Sequence, residues 1–130
     1  MNAAALEQMT ASLLIVEDEP LVRDLLRTRF GGEGYAIHEG EDGRSALRVL
    51  ERERIDLVLT DIVMPETDGI ELLVAIREKW PELPVIVFSA PTNQLYLEVA
   101  RRLGADEVIE KPLNLELLSA DVKRLLGRNG

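Results

Sequence analysis

Residues 57–69 read Leu-Val-Leu-Thr-Asp-Ile-Val-Met-Pro-Glu-Thr-Asp-Gly, an apolar run followed by an acid, a proline and an Asp-Gly pair. An apolar run this short, bounded by turn-forming residues, is typical of a buried strand in a parallel sheet. Asp61 then stands at the carboxyl end of that strand, the edge where open α/β sheets place their ligands. An acid there is costly unless positive charge meets it. The other strand ends must therefore supply its partners.

The rest of the chain repeats the same unit of a short apolar run followed by a segment with helical spacing. The predicted strands cover residues 13–16, 35–37, 57–60, 85–88 and 108–109. Consecutive strand–helix units with right-handed crossovers produce a parallel sheet that is covered by helices on both faces. The sequence therefore predicts a doubly wound α/β fold with five parallel strands, without internal repeats or linkers.

Residues that begin or end helices mark the boundaries of these units. Pro20 and Gly31-Gly32 are expected to begin and end the first helix. Single polar residues are the expected N-caps of three other helices, and Asp68 with Glu71 forms a plausible capping box for the helix after Asp61. The single N-caps are Asp42, Thr92 or Asn93, and Asn114.

Composition limits the class of protein. The chain has 130 residues, enough for one domain, of which we expect residues 12–130 to be the folded part and residues 1–11 a flexible lead-in. A net charge of −9 argues against direct nucleic-acid binding. The absence of cysteine excludes disulfides and thiolate metal sites. No signal peptide or membrane span is evident, so we expect a cytoplasmic protein that does not bind membranes.

Polar residues follow four of the predicted strands. Glu17 and Asp18 follow the first strand, Asp61 the third, Ser89 the fourth and Lys111 the fifth. Because the carboxyl ends of parallel strands share one edge, these side chains can converge. Three crowded carboxylates favour a bound cation, and a set of oxygen ligands favours Mg²⁺, with Mn²⁺ as the alternative. An aspartate can also accept a phosphoryl group, whose oxygens a lysine and a serine hydroxyl can bind.

These motifs, in this order and spacing, resemble the receiver domain of two-component response regulators, the superfamily of the chemotaxis regulator. The resemblance covers Ser12 to Leu126. The residues that carry it are Leu14-Ile15-Val16-Glu17-Asp18-Glu19, Asp61-Ile62-Val63-Met64-Pro65 with Asp68-Gly69, Ser89-Ala90, Gly104-Ala105-Asp106 and Lys111-Pro112. The resemblance implies a flavodoxin-like sheet with strand order 2-1-3-4-5.

The resemblance also implies a mechanism for the site. Asp61 would take a phosphoryl group from the phosphohistidine of a histidine kinase or a histidine phosphotransfer protein. Asp18, Asp61 and the main-chain carbonyl of Val63 would ligate Mg²⁺, with Glu17 reaching the metal through water. Ser89 would be the switch hydroxyl and Lys111 the phosphoryl-binding lysine.

The domain would thus be a phosphorylation-controlled switch rather than a turnover enzyme. It would bind an output domain or downstream protein through the face formed by the fourth helix, the fifth strand and the fifth helix.

One departure from the family pattern concerns the switch. The family usually has Tyr or Phe three residues before the lysine, where this chain has Val108. A phosphorylation-independent interaction module on the same fold is therefore an alternative function. An aspartyl-phosphate phosphatase of the haloacid-dehalogenase type is a third hypothesis. That class carries a second Asp two residues after the nucleophile, where Val63 stands here, so the sequence disfavours it.

Overall fold

A computed structural model of the chain describes residues 10–63 and 69–127. The strands are β1 (Ser12–Val16), β2 (Ala36–Gly40), β3 (Leu57–Asp61), β4 (Val85–Ser89) and β5 (Glu107–Glu110). The helices are α1 (Pro20–Gly32), α2 (Gly43–Arg52), α3 (Gly69–Lys79), α4 (Gln94–Arg102) and α5 (Leu115–Gly127). A 3₁₀ turn at Pro91–Asn93 precedes α4. The strands form one parallel sheet in the order β2-β1-β3-β4-β5, which confirms the predicted fold.

The register of the sheet aligns the carboxyl ends of its strands. Val16 lies opposite Thr60, Asp61 opposite Phe88, and Ser89 opposite Glu110. The ends of neighbouring strands therefore differ by no more than one residue, and the ends of β1, β3, β4 and β5 all lie within two residues of each other along the strand direction, about 7 Å at ~3.3 Å per residue. The sheet alone brings the predicted site residues to one edge.

Helices cover both faces of the sheet, because alternate strand residues point to opposite sides. Leu14 and Val16 of β1 face α2, α3 and α4, while Leu13 and Ile15 face α1 and α5. All four of these side chains are fully buried. This double burial explains why the strands are nearly uninterrupted apolar runs. None of the helices within residues 10–63 and 69–127 is long and apolar enough to cross a bilayer.

The predicted end of α1 at Gly31-Gly32 is confirmed, whereas the predicted side-chain cap of α4 is wrong. Helix α1 includes both Gly31 and Gly32, and the turn that follows depends on Gly34, whose φ of +98° is a conformation open mainly to glycine. Asn93 occupies the N-cap position of α4, but its side chain makes no capping hydrogen bond. The predicted cap at Asn114 is confirmed, since Asn114 Oδ1 accepts from the Leu117 N–H at 3.1 Å. Asp68 of the predicted capping box lies outside the described residues.

The predicted cap of α2 is confirmed and gives a stability prediction. Asp42 Oδ1 accepts from the Ser45 N–H at 2.8 Å, and Ser45 Oγ accepts from the Asp42 N–H at 3.2 Å. Asp42→Ala should therefore lower the free energy of unfolding by about 1 kcal/mol in urea denaturation. Glu41→Ala, which removes a neighbouring acid but leaves both hydrogen bonds, is the control and should change stability far less.

The same cap should respond to pH. The hydrogen bond from the Ser45 N–H holds the pKa of Asp42 below its ordinary value of 3.8. The contribution of the cap is therefore present above that value and is lost as pH falls through the lower pKa of the folded state. The stability gap between wild type and Asp42→Ala should accordingly narrow in acid. A gap that is equally wide at neutral pH and in acid would contradict this account.

Candidate functional site

Three carboxylates meet where β1 and β3 end. Glu17, Asp18 and Asp61 each place a carboxylate oxygen within 4.8 Å of the others. Glu17 is 1% exposed and Asp61 5% exposed, whereas Asp18 is open to solvent. Like charges this close raise each other's energy when ionised. The cluster therefore favours a cation that enters from the Asp18 side.

Lys111 supplies positive charge from the end of β5. Its Nζ lies 2.8 Å from Asp61 Oδ2 and 3.6 Å from Glu17 Oε2. Burial disfavours the charged amine, but the hydrogen bond with Asp61 and the charges of Asp61 and Glu17 outweigh burial and raise the pKa of Lys111. The backbone fixes this placement, because the Lys111 N–H donates to the Ser89 carbonyl at 2.8 Å.

Glu17 is the least satisfied group in the cluster. Its Oε1 accepts a long hydrogen bond of 3.3 Å from the Glu19 N–H. Its buried Oε2 has no hydrogen-bond partner among the described residues. Burial and then the charge of Asp61 raise the pKa of Glu17 from 4.5 to about 7, against the opposing charge of Lys111. An unsatisfied buried carboxylate beside two others is a donor set that suits a hard divalent cation.

The backbone around Asp61 is packed tightly. Asp61 Oδ1 accepts from the Val63 N–H at 3.0 Å, which orients the carboxylate. The Gly69 N–H donates to the Ile62 carbonyl at 2.7 Å, and a Cβ at Gly69 would lie 2.5 Å from both the Asp61 carbonyl oxygen and Ile62 Cα. Only glycine fits there. The Asp-Gly pair in the sequence suggested a helix start, but its close approach to the Asp61 backbone is visible only in the structure.

Ser89 ends β4 and is buried, with 2% of the residue exposed. Its Oγ accepts from Asn93 Nδ2 at 2.9 Å. Sequence reasoning missed this contact, because Asn93 was assigned only to capping α4. It also missed Arg23 of α1, whose Nη1 donates to the Glu17 carbonyl at 2.7 Å and so fixes the loop after β1.

Val108 lies on β5, partly buried against the core on the side of α4. A groove of about 490 Å³ lies beside it, between α4 and β5, with Leu95, Leu97 and Arg101 among its other lining residues. A side chain as small as valine leaves this space open. The structure therefore agrees with the sequence that no aromatic ring from position 108 bridges β5 and α4.

The structure thus brings Glu17, Asp18, Asp61 and Lys111 into direct proximity and places Ser89 on the neighbouring strand end. Fold and site together define a flavodoxin-like domain with an acidic pocket at the carboxyl edge of its sheet. The family model for the response regulator receiver domain matches residues 13–123, and the chain belongs to that family. It is the receiver domain of a two-component response regulator.

Individual relatives agree with this assignment. The response regulator MprA of Mycolicibacterium vanbaalenii is 34% identical over 120 residues, which are 92% of this chain and 52% of MprA. The chain therefore spans about half the length of that relative.

Solved structures give the same result. The receiver domain of NtrX from Brucella abortus is 34% identical with a TM-score of 0.84, covering 88% of this chain and 98% of that chain. A signal receiver domain of a histidine kinase from Syntrophus aciditrophicus is 32% identical with a TM-score of 0.84, covering 91% of both chains.

Proposed function

We propose that Asp61 accepts a phosphoryl group from the phosphohistidine of a histidine kinase or a histidine phosphotransfer protein. The observation that carries this proposal is the nearly buried Asp61 carboxylate between the ammonium group of Lys111 and two further carboxylates. A structural ion pair needs one acid. The additional acids raise the energy of the site, and that cost is characteristic of a functional site.

The transfer forms a bond between an Asp61 oxygen and phosphorus while the phosphorus–nitrogen bond of the donor histidine breaks. The donor imidazole leaves with the electron pair of that bond and takes up a proton. Lys111 moves its charge from the Asp61 carboxylate to a phosphoryl oxygen, and the Ser89 hydroxyl donates to another. Such a transfer depends mainly on positioning and charge neutralisation. Val63 contributes by holding Asp61 in place through its N–H.

The acidic pocket is the proposed magnesium site. Asp18, Asp61 and the main-chain carbonyl of Val63 would hold the ion, with Glu17 acting through water, and Mn²⁺ would be a substitute. Two observations support this assignment: the buried Glu17 Oε2 has no hydrogen-bond partner among the described residues, and the donor set consists of oxygen atoms alone. When bound, the ion would neutralise negative charge on the phosphoryl oxygens.

Phosphorylation would then switch partner binding. The aspartyl phosphate adds about −2 charge at the sheet edge and biases a two-state domain toward the conformation whose α4–β5–α5 face binds an output domain or downstream protein. We assign residues 12–130 to the receiver, and the lead-in expected before it lies mostly outside the described residues. The domain acts as a switch that is phosphorylated once per cycle, in the cytoplasm, and not as a turnover enzyme.

The test is phosphorylation with a small phosphodonor. The wild-type domain, incubated with acetyl phosphate and Mg²⁺, should gain the mass of one phosphoryl group, and the adduct should be stable in acid and labile in base. EDTA should prevent the gain, as should Asp61→Asn. Asp24→Asn, which changes an exposed acid of α1, is the matched control and should be phosphorylated as wild type is.

Two further measurements, partner binding with and without the phosphodonor and turnover of a phosphate monoester, distinguish the alternative functions. A phosphorylation-independent interaction module, which the valine at position 108 favours, would bind its partner equally well with and without the phosphodonor. A phosphatase would turn over a phosphate monoester repeatedly. Absence of any adduct in the wild type would contradict the proposed function.

A further inference from the structure

The loop after β1 carries two of the three carboxylates of the acidic pocket, and its backbone is held on both sides of Glu17. The Glu17 N–H donates to the Gly40 carbonyl, at the end of β2, at 3.0 Å. The Glu17 carbonyl accepts from Arg23 Nη1 of α1 at 2.7 Å. Because a peptide unit is planar, the contact with Arg23 fixes the orientation of the whole unit that joins Glu17 to Asp18.

Asp18 depends on this backbone more than the other two acids do. The carboxylate of Asp61 accepts from the Val63 N–H at 3.0 Å. The carboxylate of Glu17 accepts from the Glu19 N–H at 3.3 Å. The Asp18 carboxylate is open to solvent, and it has no hydrogen-bond partner among the residues that the structure describes. Its position beside the other carboxylates is therefore set by the backbone of the loop.

Arg23 is well placed to fix that backbone. Its side chain is 16% exposed, and its Nε lies 3.8 Å from Glu39 Oε1 of β2, its one ion pair within the described part of the chain. A hydrogen bond from a guanidinium is charge-assisted and stronger than a neutral one, and its planar donor group has a fixed geometry. Arg23 thus links the loop to α1 and β2 through a main-chain carbonyl, and it forms no ion pair with the carboxylates of the pocket.

We propose, on the basis of the proposed function and its magnesium site, that Arg23 is a positioning residue for the metal. By holding the Glu17 carbonyl, it keeps the Asp18 carboxylate beside Asp61 before the ion arrives. Ligands that are already in place lose little freedom on binding, which favours affinity. Partners that orient metal ligands typically contribute about tenfold to 100-fold in metal affinity.

The charge of Arg23 and its positioning role predict opposite results. A cation near the pocket repels a second cation, so removing its charge alone should strengthen Mg²⁺ binding. Removing the hydrogen bond to the Glu17 carbonyl should weaken Mg²⁺ binding, because Asp18 loses its fixed position. A role confined to the packing of α1 would change stability by the same amount with and without Mg²⁺.

The first test measures the affinity for Mg²⁺ alone. Urea denaturation in EDTA and at rising Mg²⁺ concentrations gives the dissociation constant from the stabilisation that the ion confers. Arg23→Met keeps an unbranched apolar side chain without a donor, and it should raise the dissociation constant of Mg²⁺ about tenfold. A dissociation constant that is unchanged or lower would overturn the proposal.

Two further variants separate the hydrogen bond from the charge. Arg23→Lys retains the charge and a donor for the Glu17 carbonyl, so it should bind Mg²⁺ more tightly than Arg23→Met and less tightly than wild type. Arg27→Met removes a half-exposed cation from the same helix, which pairs with Asp24 and Glu39, and should bind Mg²⁺ at least as tightly as wild type. If Arg23→Met does not fold, Arg23→Lys provides the test, and a dissociation constant equal to that of wild type would overturn the proposal.

Phosphorylation gives a second measurement and separates this inference from the proposed function. With acetyl phosphate, Arg23→Met should need about tenfold more Mg²⁺ than wild type for half-maximal adduct formation, and its rate at saturating Mg²⁺ should approach that of wild type. If Mg²⁺ does not stabilise the wild type, the proposed magnesium site fails, and this inference fails with it. If Mg²⁺ stabilises wild type and Arg23→Met equally, only the role of Arg23 is overturned.

Discussion

Glu17→Gln should stabilise the metal-free domain at pH 8 by about 1–3 kcal/mol. Glu17 is buried, and its Oε2 has no hydrogen-bond partner among the described residues. Its pKa in the folded domain is about 7 against an ordinary 4.5, so the folded state binds the proton more tightly. An acid whose pKa is raised on folding removes stability as pH rises from 4.5 to 7, and the full penalty remains above 7. A neutral glutamine avoids that penalty.

The pH dependence and the control make this prediction specific. At pH 5, where Glu17 of the folded wild type keeps its proton, the gain in stability from Glu17→Gln should be at most half of the gain at pH 8. At pH 8, added Mg²⁺ should also reduce the gain relative to metal-free protein. Glu19→Gln changes an exposed acid two residues away and should have little effect at either pH. Urea denaturation in EDTA gives the free energy of unfolding of the metal-free wild type and of both variants. A gain of the same size at both pH values would contradict the assignment of the penalty to ionised Glu17.

Gly69→Ala should destabilise the domain by at least about 2 kcal/mol. The new methyl group would lie 2.5 Å from the Asp61 carbonyl oxygen and 2.5 Å from Ile62 Cα, and neither backbone atom can turn aside as a side chain could. The strand end or the start of α3 must then shift. Because this shift would displace Asp61, the proposed phosphoacceptor, the variant should also be phosphorylated more slowly than wild type.

Gly32→Ala is the matched control for that experiment. Gly32 lies in α1, and a Cβ there would meet no atom within 4 Å. Alanine favours the helix over glycine by up to about 1 kcal/mol, so this variant should be unchanged or slightly more stable. Thermal unfolding of both variants gives the comparison. Equal stability of Gly69→Ala and wild type would show that the contact at Asp61 is not tight.

The fold was predictable because the sheet is buried on both faces. Runs such as residues 57–60 and 85–88 show no alternation of polar and apolar side chains, which is typical of strands buried on both faces. The segments between such runs have helical spacing, so the alternation of strands and helices can be inferred from the sequence. The lengths of the strands were harder to predict from the sequence. Strand β2 extends to Gly40, since polar His38 and Glu39 lie on an edge strand where backbone pairing with β1 decides the structure.

The site was predictable to the extent that strand ends determine it. Asp61 and Lys111, 50 positions apart, were expected at one edge and lie 2.8 Å apart. Asn93 and Gly69 were not foreseen in their actual contacts. Asn93 ends the 3₁₀ turn with φ −105° and ψ 30°, which is not the extended conformation of a capping residue, so its side chain donates to Ser89 Oγ instead. The close approach of Gly69 likewise depends on where α3 begins relative to β3.

The roles of the site residues depend on where the phosphoryl group is attached. The most direct measurement is to reduce the acetyl-phosphate adduct with borohydride, digest the protein and locate the modified residue by tandem mass spectrometry. We predict a single modified aspartate, Asp61, in the Mg²⁺-treated wild type and none in EDTA. A modification on Asp18 or Ser89, or an adduct that forms equally well in EDTA, would contradict the account.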